Sequence, residues 1–134
     1  MIIWKDGSKG YEASEPVILQ GHMDMVAVKE ADCDKDMEKE GLDLEINGDY
    51  ISAKGTSLGG DDGIAVAYTL AVLDDEEMAH PPIEAIFTVN EEIGMLGAAT
   101  IDVSDLKGRF IYEHGSEDEG VFTVQLCRWS IRNL

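Results

Sequence analysis

The sequence predicts an α/β domain, and two observations carry that class. Residues 16–19 and 83–89 are short apolar runs that read as buried strands. Between them, residues 64–73 are rich in Ala, Leu and Val and read as a helix. Strands alternating with helical segments imply a sheet with helices packed on it. A third observation locates function. Gly21-His22-Met23-Asp24, Gly59-Gly60-Asp61-Asp62-Gly63 and Asn90-Glu91-Glu92-Ile93-Gly94 each sit at the end of a strongly apolar run and carry acid or imidazole. Evenly spread surface charge has no such pattern. In open α/β sheets, sites form beyond the carboxyl ends of the strands, and His22 and the Glu91-Glu92 pair both fall at such ends.

The elements follow in order. The run 16–19 ends at Gln20-Gly21. Residues 29–40 are charged, show no apolar period and read as a surface loop. Residues 42–53 alternate apolar and polar side chains around Asn47-Gly48, a turn-forming pair, which predicts a β-hairpin. The helix over 64–73 follows Asp61-Asp62-Gly63, where an Asp can cap the helix N-terminus. His80-Pro81-Pro82 is a break before the strand over 83–89, and residues 109–112 and 121–126 are further strand candidates. The chain shows no internal repeat and no low-complexity linker.

With 134 residues and 44% hydrophobic content, the chain suffices for one domain around one core. Its 28 acidic and 10 basic side chains leave a net charge of −18, which argues against nucleic acid and anionic membrane as partners, since both need Lys and Arg to neutralise phosphate. Cys33 and Cys127 make no disulfide framework, so a reducing compartment is the simpler expectation. The N-terminus lacks a basic segment followed by an apolar one, and no apolar run approaches membrane-spanning length. The expected location is the cytoplasm.

A histidine plus several carboxylates suits zinc or a similar divalent ion, and the lack of Cys among the candidate ligands argues against a structural zinc finger. A lone histidine is more often a partly buried, hydrogen-bonded residue than a ligand. Asp24, two residues from His22, shifts that balance, because a carboxylate near an imidazole can fix its tautomer. Asp62 is as readily a helix cap as a functional group. Adjacent Asp61 and Asp62 among glycines repel each other unless a cation or hydrogen bonds compensate. Glu91 and Glu92 could be ordinary surface charge, but they end a buried run; one could bind metal while the other serves as a base. Asp32-Cys33-Asp34-Lys35-Asp36 imitates the start of a calcium loop, yet Met37 stands where such loops need Gly and Asp43 where they usually have Glu. Ser57, Ser104 and Ser116 lack a nucleophile-elbow context, so serine hydrolase chemistry has little support.

With these residues in view, the chain resembles the aminoacyl-histidine dipeptidases (Xaa-His dipeptidase, peptidase D or carnosinase-like), a branch of the co-catalytic zinc exopeptidases and aminoacylases. The similarity runs over about residues 2–123. Its most specific parts are the 17–26 stretch around His22, Gly55-Thr56-Ser57-Leu58-Gly59-Gly60-Asp61-Asp62-Gly63, Glu91-Glu92-Ile93-Gly94-Met95, and Ser116-Glu117-Asp118-Glu119-Gly120. The resemblance implies a mixed sheet flanked by helices and two zinc ions, with cobalt or manganese as substitutes. His22 would bind one zinc, Glu92 the other, and Asp61 would bridge them. Glu91 would be the general base and later the acid, and Asp24 would steady His22. The implied substrates are dipeptides with a free N-terminus, often ending in histidine, and intact relatives are expected to be homodimers.

Two departures bear on activity. The family has a zinc-binding Asp where this chain has Gly115, and its members continue into a lid and dimerisation domain before returning a distant His ligand. The expectation is a partial catalytic domain over 1–124 without the lid domain, and a tail over 125–134 that is out of frame. With suitable synonymous codons, a one-base shift across Tyr112-Glu113-His114-Gly115 restores an Asn and the start of an Asp codon. A similar shift across Gln125-Leu126-Cys127-Arg128-Trp129-Ser130 gives Ser-Cys-Ala-Gly-Gly, like the family's continuation.

Overall fold

The computed structural model describes residues 1–115. The strand expected over 121–126, the Ser116-Glu117-Asp118-Glu119-Gly120 block and the 125–134 tail lie outside the described residues. Within them, the chain forms a mixed four-stranded sheet in the order β1-β5-β2-β6 and a separate two-stranded hairpin. The strands are β1 (Ile2–Lys5), β2 (Val17–His22), β3 (Leu44–Asn47), β4 (Tyr50–Ala53), β5 (Ile83–Thr88) and β6 (Phe110–Glu113); the helices are α1 (Gly60–Asp74) and α2 (Leu96–Thr100).

β5 is one of the two inner strands, and every one of its six residues is buried. Its run Ile83-Glu84-Ala85-Ile86-Phe87-Thr88 is continuous rather than alternating, as expected for a strand covered on both faces. One face sends Ile83, Ala85 and Phe87 into a core shared with Ile3, Leu19, Val66, Val72 and Leu73. On the other, the buried Glu84 is satisfied by backbone: its carboxylate accepts from the Lys107 N–H at 2.9 Å and the Gly108 N–H at 2.9 Å. β2 lies parallel to β5, with Gly21 opposite Phe87 and His22 opposite Thr88, and β6 lies parallel to β2 on its other side. The carboxyl ends of these strands therefore share one edge of the sheet, and the site stands on that edge.

Several details differ from the sequence expectation. β1 is an additional strand; it pairs antiparallel with β5 and is pinned by Lys5, whose Nζ donates to the carbonyls of Val72, Leu73 and Asp75 at the end of α1. A cation at a helix C-terminus meets orphan carbonyls and the negative end of the helix dipole. The hairpin turns on Gly48 and Asp49, one residue later than Asn47-Gly48, because Asn47 already pairs with Tyr50. α1 begins earlier than the apolar period and is irregular at Asp61 and Asp62, whose peptide bond is cis. Neither Asp caps it: the N-cap is Gly59, with no side-chain hydrogen bond.

Candidate metal centre

β2 delivers His22 to the sheet edge, and α1 packs across β2 close enough to bring Asp61 and Asp62 to it. Gly21 makes that approach possible. A Cβ there would lie 3.0 Å from Asp62 Oδ2, 3.1 Å from Ala65 Cβ and 3.2 Å from the Val66 nitrogen. Without it, the buried Asp62 reaches over and its Oδ2 accepts the His22 N–H at 3.0 Å. Asp62 thus serves the backbone of β2, not the helix end. Its other oxygen, Oδ1, is buried without a partner among the described residues. Burial raises the Asp62 pKa, aided by the carboxylates of Glu113 and Asp61 and opposed by the His22 N–H and ring.

The His22 ring is buried and held at both nitrogens. Nδ1 donates to the Asp24 carbonyl at 3.0 Å, and Nε2 lies 3.2 Å from Asp61 Oδ1 and 3.8 Å from Glu91 Oε2. Burial disfavours the imidazolium, but the Asp24 carbonyl and the carboxylates of Asp62, Glu91 and Asp61 outweigh it and raise the His22 pKa. The chemistry of this arrangement is specific. With Nδ1–H committed to a carbonyl, Nε2 turns its lone pair toward carboxylate oxygens, and only a proton or a metal cation between them makes that favourable.

From β5, Asn90 adopts a left-handed backbone, with φ of 58°, and turns the chain into Glu91 and Glu92. His22, Glu91 and Glu92 offer one nitrogen and two carboxylate oxygens that all lie within 4.8 Å of one another, which fits a divalent cation. Asp61 joins this group through His22. Asp24 stands behind it: its carboxylate accepts the N–H groups of Glu91 and Glu92, each at 3.2 Å, and lies 3.7 Å from His22 Nδ1. Burial acts to raise the Asp24 pKa, but these N–H donors more than offset it and lower the value. So the Asp24 carbonyl, more than its carboxylate, steadies the ring.

Gly115 also faces the site. A Cβ there would lie 3.6 Å from Asp61 Oδ1 and press on the Glu113 carboxylate, which accepts the Gly115 N–H. Sequence reasoning missed Asp62, which reads equally well as a cap, and Glu113, which has the pattern of an ordinary strand-end acid. Elsewhere, two acids of the 32–43 segment pair with its lysines: Lys35 with Asp43 at 3.0 Å and Lys39 with Asp36 at 2.7 Å. Ser57 is structural, its hydroxyl donating to the Val26 carbonyl at 2.7 Å.

The chain belongs to peptidase family M20/M25/M40, whose model matches residues 18–128. It is 40% identical over 120 residues to the cytosol non-specific dipeptidase of Escherichia coli, covering 90% of this chain and 25% of that protein. The crystal structure of aminoacylhistidine dipeptidase from Vibrio alginolyticus superposes with a TM-score of 0.84 at 42% identity, over 89% of this chain and 24% of that one. Aminopeptidase PepT from Bacillus cereus is more distant, with a TM-score of 0.66 at 28% identity, over 87% of this chain and 29% of that one. The chain thus spans about a quarter of the length of the E. coli and Vibrio relatives. No helix among the described residues is long and apolar enough to cross a membrane.

Proposed function

We propose that this chain carries part of the catalytic centre of a zinc-dependent dipeptidase that hydrolyses dipeptides with a free N-terminus, including those ending in histidine. The observation that carries the proposal is the grouping of His22, Glu91 and Glu92 beside Asp61 at the carboxyl edge of parallel strands. His22, Asp61 and Glu92 are the residues that would hold the zinc. Zinc bound there would polarise the scissile carbonyl and acidify a water molecule. Glu91, whose carboxylate lies 3.8 Å from the ring nitrogen, would serve as the base that takes a proton from water and returns it to the leaving amine. The Asp24 carbonyl keeps the His22 Nδ1 protonated, so that Nε2 stays available as a ligand. The E. coli relative is named for the cytosol, and the same location is proposed for this chain.

A second reading is favoured by Gly115: a metal-binding piece with little turnover. A side chain at that position would project toward Asp61, and glycine supplies none. Assay of the zinc-loaded chain on an Xaa-His dipeptide separates the two. Turnover abolished by Glu91→Gln supports the dipeptidase. Zinc binding without turnover supports the second reading, and the lack of both would sink the shared premise.

A further inference from the structure

We propose that the Asp24 carboxylate is a positioning residue for the two glutamates, tying the loop after β5 to the loop after β2 by its grip on the Glu91 and Glu92 backbone. The two oxygens divide the work. Oδ1 takes the Glu91 N–H and Oδ2 the Glu92 N–H, both at 3.2 Å across 67 and 68 residues of chain. The imidazole has a nearer partner on the same residue: Nδ1 donates to the Asp24 carbonyl at 3.0 Å, while Oδ1 stands off at 3.7 Å.

The turn following β5 explains why these N–H groups want an outside partner. Its internal hydrogen bonds use carbonyls: Asn90 accepts from Leu96, and Glu91 accepts from Gly94 and Met95. No backbone carbonyl takes the Glu91 or Glu92 N–H among the described residues. An anion spanning consecutive N–H groups satisfies both and sets where the two side chains begin. One residue thereby controls both halves of the site, its carbonyl aiming the His22 ring and its carboxylate the glutamates. This deepens the dipeptidase reading and rests on it only for its consequence for metal binding.

The test uses the full, metal-free chain labelled with nitrogen-15. In the wild type, the Glu91 and Glu92 amide protons resonate downfield and exchange slowly. In Asp24→Ala both move upfield and exchange about tenfold faster or more, the equivalent of losing a charge-assisted hydrogen bond. His22 keeps its Nδ1–H tautomer, held by the Asp24 carbonyl. Asp24→Asn keeps one acceptor, so one amide retains protection while the thermal midpoint stays near wild type. Unmoved Glu91 and Glu92 amides in either variant, or His22 ring signals that move alone, would overturn the proposal. Should Asp24→Ala not fold, fast-exchanging amides at both positions in the wild type or in Asp24→Asn would overturn it equally. A zinc titration of Asp24→Asn then reads the consequence, an affinity loss of about 10–100-fold at unchanged stoichiometry. Lack of zinc binding by the wild type would count against the dipeptidase reading, while the amide shifts and exchange rates would still decide the positioning role.

Discussion

Replacing Gly21 with alanine tests how tightly the helix must sit on the strand that carries His22. The new methyl would meet Asp62 Oδ2 at 3.0 Å, Ala65 Cβ at 3.1 Å and the Val66 nitrogen at 3.2 Å. A carboxylate tip can swing aside, but the Ala65 stub and the α1 backbone have no rotamer to change. α1 must therefore back away from β2 by a few tenths of an ångström. Overpacking of this kind costs about 1–3 kcal/mol. The same shift stretches the 3.0 Å bond from the His22 N–H to Asp62. With a urea slope of about 1–3 kcal/mol per molar, the midpoint should fall by roughly 0.5–2 M. The assay is urea unfolding followed by far-ultraviolet circular dichroism, with Gly63→Ala as the control. Gly63 also lies in α1, but a Cβ there meets nothing within 4 Å. That control should be neutral or more stable by about 0.5–1 kcal/mol. Equal midpoints for Gly21→Ala and the wild type would refute the close-approach argument.

Three further outcomes follow from the geometry. Gly115→Asp should tighten zinc binding at least about tenfold in calorimetry, since the new Cβ displaces only the flexible Glu113 carboxylate and points at Asp61; unchanged affinity would remove position 115 from the site. The His22 pKa is raised in the fold, so its stabilisation of the metal-free chain is fully present below the ordinary imidazole value of 6.5 and is lost as pH rises through the raised one. Zinc affinity should run the opposite way over that window, rising with pH as the competing proton leaves, and paired melts and titrations across it check both signs. Glu84→Ala should cost about 1–3 kcal/mol in thermal unfolding, because it removes a buried carboxylate that accepts the part-buried N–H groups of Lys107 and Gly108.

The sequence revealed β2, the hairpin, α1 and β5 because each is an apolar run bounded by residues that punctuate structure: Gln20-Gly21, Gly48, Asp61-Asp62-Gly63 and Pro81-Pro82. β1 escaped because Ile2-Ile3-Trp4 is too short to show a period, and its strand state comes from pairing with β5 and from Lys5 reaching the end of α1. α2 escaped because five residues make little more than one turn. Residue types and strand ends pointed to His22, Asp61, Glu91 and Glu92. What each neighbour does for them was hidden, because it depends on contacts distant in sequence. The Asp62 carboxylate acts on the His22 backbone 40 residues away, and Asp24 acts on backbone N–H groups 67 and 68 residues away. Such hydrogen bonds depend on how β2, β5 and α1 pack, and a local pattern of acids cannot distinguish them from caps or surface charge.

The central claim is that His22 and its neighbouring carboxylates hold a divalent ion. Its most direct test is a cobalt titration of the chain followed by visible absorption, run beside His22→Ala. The expected result is a saturable d–d spectrum, displaced by zinc and lost in His22→Ala. A spectrum that never saturates, or one unchanged by His22→Ala, would contradict it.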